Sequence, residues 1–350
     1  MSDPTPQSVS PERLLYLDLF RGIAILAVVG IHLCATVLGL LGKGTPLWRF
    51  FATISTSLLF AVPAFLLLSA LLLTRSGLKR FNLSRLISTR TQQVLVPYLL
   101  WSLIYTYFSA KNLPDFTWRE AFVRIAIGKS FQHLYFLGIL LQFYLLFPFL
   151  LRLMRRRPPF LQVSLVGFSF TLAFYWLNRL YLHLPYVGSV VFWYTPVLAL
   201  GLWLGTDTER IGERVQRGLP VAVLGVVLGF ASYPMLNLQV LQKQEVDTFL
   251  FQVSEWVYTT SASFCLLWFV WWWQNSESRL LPVLSYLGTR SMQIYLLHPM
   301  ILSLLGKIHL WAHVHLWVGV PLCFILVVAI PLGIAYLADR LRCSVWIFGR

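Results

Sequence analysis

Acidic residues are scarce: 13 Asp and Glu stand against 28 Lys and Arg, and only 12% of the chain is charged. A soluble domain carries about a quarter of its residues as charges, so a water-facing globular surface is excluded. Cysteine is equally sparse. Cys34, Cys265, Cys323 and Cys343 show no paired spacing and three of them lie in apolar runs, which argues against a disulfide framework or a cysteine-based zinc site. No basic region precedes the first apolar run, and no small-residue cleavage site follows it. An uncleaved first helix is therefore expected, after a flexible cytoplasmic tail over residues 1–13.

What is present is hydrophobic, 58% of the residues with a mean hydropathy of +0.71. Ten apolar segments can be marked, at 14–41, 50–74, 93–110, 133–151, 160–180, 188–205, 219–237, 251–274, 285–306 and 315–338. The expected fold class is all-α, a polytopic membrane protein of about ten transmembrane helices with a membrane domain over 14–338 and a short cytoplasmic tail over 339–350. The net charge of +15 does not form one basic face. It is dispersed in short clusters between apolar runs, the pattern of orientation signals, so membrane lipids are expected partners and nucleic acid is not. With ten crossings, 17 Lys and Arg fall on the side of the termini and 9 on the other, while Arg21 and Arg290 lie within segments. Cytoplasmic loops carry such an excess, which places both termini in the cytoplasm.

The first segment, LLYLDLFRGIAILAVVGIHLCATVLGLL, carries Asp18, Arg21 and His32. Three residues separate Asp18 from Arg21 and eleven separate Arg21 from His32; at about 100° per residue all three share one helix face. His32 then lies about 16 Å along the axis from Arg21, near mid-membrane, with Arg21 toward the cytoplasmic surface. Ionisable groups in hydrocarbon are costly and usually functional. The structural alternative is a local pair between Asp18 and Arg21 and a helix-to-helix bond from His32.

Other polar residues punctuate the apolar runs. Pro63 is expected to kink the second segment, in which Ser69 could bond substrate or its own backbone. The following stretch reads as a loop with Arg75, Lys79, Arg80, Arg85 and Arg90, either phosphate-binding or purely topological. His133, Tyr135 and Gln142 open the fourth segment, and Gln293, Tyr295 and His298 sit within the ninth. His298 precedes Pro299, where a helix break is plausible. Glu255 is placed at the outer interface. His309, His313 and His315 include an i,i+4 pair, yet no carboxylate or cysteine accompanies them and no metal site is assigned.

Together these segments resemble acyltransferase family 3, bacterial integral-membrane enzymes that O-acylate cell-surface sugars. YLDLFRGIAILAVVGIH is similar to the family's opening Asp, Arg-Gly and Arg-x10-His block, met by Arg21 and His32. FAVPAFLLLSALLL resembles its Phe-Phe-x-x-Ser-Gly block, with Ala70 where glycine is usual. VLVPYLLWS, HLYFL (Tyr135 where Trp is usual) and SMQIYLLHP match further blocks in order. The resemblance implies transfer of an acyl group, usually acetyl from cytoplasmic acetyl-CoA or another acyl-CoA, to a sugar hydroxyl on the outer side of the bacterial inner (plasma) membrane, without a metal. The sugar is a cell-surface or lipid-linked acceptor, and a separate periplasmic or glycan-assembly partner would supply any second transfer.

In that scheme His32 is the base or acyl carrier, Arg21 holds the donor or the oxyanion and Asp18 orients Arg21. Arg75, Arg85 and Arg90 meet the CoA phosphates; Ser69, His133, Tyr135 and His298 meet substrate. A glycan or glycolipid transporter is the alternative, with the same residues lining a path.

Overall fold

A computed structural model describes residues 14–110, 117–307 and 314–349. The N-terminal tail, His309 and His313 lie outside the described residues. Within them the chain is all-helical, with no strands. The elements are α1 (Leu15–Leu40), α2 (Pro46–Ser57), α3 (Ala61–Lys79), α4 (Leu83–Arg90), α5 (Val96–Ala110), α6 (Trp118–Ala126), α7 (Tyr135–Met154) and α8 (Phe160–Leu177), followed by α9 (Thr195–Leu204), α10 (Ile211–Leu241), α11 (Thr248–Trp273), α12 (Leu280–Thr289), α13 (Ser291–Lys307), α14 (Leu316–Arg340) and α15 (Ser344–Phe348).

Helix α1 is the hub, packed against α2, α3, α11, α12, α13 and α14. Its apolar residues Leu19, Phe20, Ala24, Ile25 and Val29 are fully buried, so the helix that carries the polar stripe is surrounded by protein rather than lipid. Elsewhere the pattern is inverted. Helix α10 turns Val221, Val223, Leu224, Val227 and Leu228 outward, an apolar exterior suited to hydrocarbon.

Among the described residues six helical spans are long and apolar enough to cross a membrane: Leu15–Leu40, Pro46–Lys79, Tyr135–Met154, Phe160–Leu182, Ile211–Leu241 and Leu316–Arg340. The protein is a multi-pass membrane protein. The other four expected segments are carried by α5, by a 3-10 stretch continuing into α9, by α11, and by the pair α12 and α13.

Several local expectations are corrected. The break in the second segment falls at residues 58–60 and Pro63 enters the first turn of α3, because a proline lacks an N–H to extend the preceding helix yet fits a first turn. The arginine-rich stretch is not a loop: Arg75 and Lys79 end α3, Arg85 and Arg90 ride on α4, and only residues 80–82 intervene. Helix α4 starts where the Asn82 side chain accepts the Arg85 backbone N–H at 2.9 Å.

No break occurs at His298 and Pro299 either; α13 runs through both. Pro299 leaves the Tyr295 carbonyl without its helical N–H donor, and the His298 ring supplies one, its Nδ1 lying 2.8 Å from that oxygen. The ninth segment instead breaks before α13, where Arg290 pairs with Asp339 of α14 at 2.5 Å.

Of the residues after 338, the described ones, 339–349, include helix. Helix α14 extends to Arg340, and α15 folds back so that the Trp101 indole N–H donates to the Ile347 carbonyl at 2.9 Å.

Candidate active site

Two polar places lie along α1. Near its start the Arg21 guanidinium meets the Asp18 carboxylate at 3.0 Å, with Asp18 buried and Arg21 half-buried. The local pair thus exists, and Arg21 also faces a cavity of about 170 Å³ lined by Ser69, Gln93, Tyr144, Ser291 and Tyr295. Phe348 and Gly349 form part of its wall. Gly349 has φ 76°, a left-handed turn, and a side chain there would press into the Gln93 backbone.

Close packing holds Arg21 at this cavity. Gly288 of α12 lies against the Asp18 carbonyl and Gly22 lies against Leu284, so the two helices meet backbone to backbone.

The arginines expected for donor phosphates separate in space. Arg90 is half-buried, stacks 5.1 Å over the ring of cavity residue Tyr144 and donates to Gln93 Oε1 at 3.3 Å. Its buried Nε has no protein partner. Arg85 is exposed on α4. Arg75 is half-buried near Tyr16 and is absent from the cavity wall. Only Arg90 of the three adjoins the cavity. Arg90→Ala is therefore expected to weaken acyl-CoA binding by about 1.5–3 kcal/mol, the size of a charge-assisted contact, and Arg85→Ala to change it little. Calorimetric titration of the detergent-purified variants checks this; equal losses would return both residues to a generic surface charge effect.

About 16 Å further along α1 three histidines converge from three elements. The His32 ring centroid lies 5.0 Å from that of His298 and 6.5 Å from that of His133, and the last two are 5.5 Å apart. His298 Nδ1 approaches the carbonyls of Tyr295 and Ile294 at 2.8 and 3.1 Å. A carbonyl only accepts, so Nδ1 carries the proton and Nε2 keeps its lone pair. That Nε2 is buried without a partner.

His133, 2% exposed, has neither ring nitrogen bonded and is walled by Tyr105, Phe131 and Tyr295 at 5.1, 5.7 and 5.0 Å between centroids. Tyr295 donates its hydroxyl to the His133 carbonyl, and Tyr105 donates to the Leu296 carbonyl at 2.8 Å. His32 alone of the three is half-buried and retains accessible surface.

Unsatisfied buried polar atoms cost about 1–3 kcal/mol each. Besides His133 and His298, Gln293 on α13, Ser102 and Thr106 on α5, and Ser130 before α7 each hold one. These atoms lie on three elements that meet at His133, so the surroundings of the cluster are polar.

The structure therefore joins His32 with His133 and His298, and joins Arg21 and Asp18 with Ser69. Tyr135 is not among the residues that line the Arg21 cavity or touch the histidine rings; the Lys129 Nζ lies 5.5 Å from its ring centroid. Glu255 is half-buried and accepts from Gln252 Nε2 at 2.5 Å. Gln93, Tyr105 and Tyr144 are not legible as site residues from sequence. Their one signal is being polar groups in or beside an apolar run, a property shared with many residues that merely pack. Tyr295 links the two places, lining the Arg21 cavity and touching His133. Among the described residues no group of three or more His, Cys, Asp or Glu has an arrangement that could hold a metal ion.

A multi-pass helical protein whose central helix carries a cationic cavity at one level and a histidine cluster at another defines a class of membrane-embedded site. The chain belongs to acyltransferase family 3: that family's model, described as an acyltransferase domain, matches residues 14–336. The chain is also similar to the protein of Staphylococcus aureus strain MRSA252 named "Probable poly-beta-1,6-N-acetyl-D-glucosamine export protein", 26% identical over 293 residues that cover 79% of each chain. The counterpart from strain N315 shows the same identity and coverage. No solved structure matches the chain.

Proposed function

We propose that this protein is an O-acyltransferase of the bacterial inner membrane, moving an acyl group, acetyl in the simplest case, from cytoplasmic acyl-CoA to a hydroxyl of a cell-envelope or exported sugar. The observation that carries the reading is the histidine cluster beside an Arg21 cavity in a chain of this family.

A sugar hydroxyl becomes nucleophilic as a base takes its proton, and a neutral imidazole suits that task. His32, the accessible member, is the base. His298 presents a fixed Nε2 lone pair toward the cluster, able to accept from a His32 N–H and leave the other His32 nitrogen to receive the proton. The alkoxide oxygen attacks the thioester carbonyl, the tetrahedral oxyanion collapses, and the C–S bond breaks with CoA leaving as the thiol after protonation. Arg21, held by Asp18, would hold the donor; lying about 16 Å along α1 from His32, it does not reach the oxyanion. A cavity of about 170 Å³ is below the 300–1,000 Å³ usual for a whole small-molecule site. It would admit the extended arm of a donor, leaving the nucleotide outside near Arg90.

In this reading the chain crosses the membrane ten times with both termini cytoplasmic. Single cysteines at Asn82 and Gln244, both exposed, are expected to label from opposite faces of sealed vesicles in a cysteine-free background; labelling from one face would remove that topology.

The name of the Staphylococcus aureus relatives favours a second reading, export of a glycan. Acyl-CoA consumption separates the two. Purified protein with acyl-CoA and an envelope glycan extract should release free CoA thiol and acylated sugar; transport into vesicles with no thiol release would favour export.

A further inference from the structure

Helices α7 and α8 follow one another in the chain and both rest on α9. Between them lies a groove of about 620 Å³ that the acyl-transfer chemistry does not use. Leu146 and Leu150 of α7, Val163 of α8, and Leu198 and Leu202 of α9 line it. Leu153, Val166 and Phe170 on its rim are exposed, so in a multi-pass protein the groove opens sideways toward hydrocarbon. One end is different. The loop between the helices brings Arg156 and Arg157 to the groove, Arg157 turning the chain with a left-handed φ of 48° ahead of Pro158 and Pro159.

Length, volume and charge define the occupant. From Met154 at the arginine end to Phe143 at the far end the wall follows eleven residues of α7, about 16 Å at 1.5 Å per helical residue. That is close to half of the roughly 30 Å hydrocarbon core, the depth of one leaflet. The volume falls within the roughly 300–1,000 Å³ of a site that encloses a small molecule. Among the described residues neither arginine enters an ion pair, and the wall holds no Asp or Glu. The groove on the opposite side of α8, of about 700 Å³, gives the contrast: its Arg214 and Arg217 meet Asp207 and Glu213 at 3.9 and 2.6 Å. There the cations are answered within the protein. At Arg156 and Arg157 two guanidinium forks stay available, and their geometry matches phosphate oxygens.

We propose that this groove binds one anionic phospholipid from the leaflet on the arginine side, its phosphate held by Arg156 and Arg157 and an acyl chain lying between α7 and α8 over α9. Basic pockets between transmembrane helices are a recurrent headgroup site. A zwitterionic lipid fits less well, because no acidic residue in the wall answers its ammonium. None of the wall residues lines the Arg21 cavity, so the inference stands apart from the acyl-transfer reading.

The test titrates purified full-length protein in detergent with phosphatidylglycerol or phosphatidylcholine carrying identical palmitoyl and oleoyl chains, and reads bound lipid by native mass spectrometry. Phosphatidylglycerol is expected to bind at least about tenfold more tightly, since each arginine beside an anionic headgroup adds roughly fivefold. Arg156→Ala combined with Arg157→Ala should erase the preference. Leu150→Trp, which fills the apolar part and leaves the arginines in place, should weaken phosphatidylglycerol binding by a similar factor, and Arg217→Ala in the opposite groove should leave it unchanged. Equal affinity for the two lipids in the wild-type protein, an undiminished preference in the double arginine variant, or an equal loss in Arg217→Ala overturns the proposal. Undiminished binding to Leu150→Trp also overturns it, because the headgroup would then be held on the loop surface alone. Tighter, Arg156-dependent binding of palmitoyl-CoA would give the groove to an acyl donor and overturn the lipid assignment. Both arginines are exposed, so the double variant decides even where Leu150→Trp does not fold.

Discussion

Replacing His32 with alanine is expected to lower acyl transfer per folded molecule by about 10²–10⁴-fold, the usual contribution of a positioned base, with acyl-CoA binding retained. Donor binding should survive because the cationic cavity lies about 16 Å along α1 from the histidine. His298→Ala should cost a comparable factor, although its Nδ1 proton is committed to the Tyr295 and Ile294 carbonyls, because in the proposed mechanism its Nε2, without a partner in the structure, accepts from a His32 N–H. The double variant should then lose little more than the worse single variant, since groups acting as one unit are not additive. Turnover measured on all four proteins decides it. Multiplicative losses would mean that the two rings act independently, and full specific activity in His32→Ala would end the catalytic role. His298→Ala also frees the carbonyl opposite Pro299, so thermal stability of each variant is measured alongside.

The second large effect concerns a glycine with no chemistry of its own. Gly288→Val is expected to disrupt the protein, because even one methyl at this position collides with the Asp18 backbone carbonyl across the α1 and α12 contact. Backbone cannot rotate away as a side chain can. The cost should exceed the roughly 1–3 kcal/mol of ordinary overpacking, and the residual folded protein should have Arg21 displaced from its cavity. Gly333 of α14 has nothing within 4 Å of an added Cβ, so Gly333→Ala serves as a control expected to be neutral or stabilising by about 0.5–1 kcal/mol. Thermal unfolding with acyl-CoA titration on both variants checks the pair; a Gly288→Val protein as stable as the control would mean that α1 and α12 do not approach this closely.

Much of α1 is legible in the amino-acid sequence. Hydrophobic length and the angular spacing of Asp18, Arg21 and His32 are properties of one helix, and the helix observed over Leu15–Leu40 with its local ion pair follows from them. His298 shows the boundary of such reasoning. The His-Pro pair reads locally as a break, whereas the imidazole repairs the hydrogen bond that the proline removes. Arg85 and Arg90 are indistinguishable as neighbouring cations in sequence; the angular offset between them on α4 exposes one and carries the other to Tyr144.

The sequence by itself determined that this is an all-helical membrane chain of acyltransferase family 3, organised around a first helix with Arg21 and His32 on one face. Each of those features depends on residue type, local period or motif order. Only the tertiary structure decided that His133 and His298 complete a cluster with His32, that Arg90 rather than Arg85 or Arg75 reaches the cavity, and that the C-terminal residues wall it. Those choices are set by which helices lie side by side. Apolar faces of nearly uniform composition carry little pairing information in the sequence, and partners are selected by close steric fit at points such as Gly22 with Leu284 and Gly288 with Asp18.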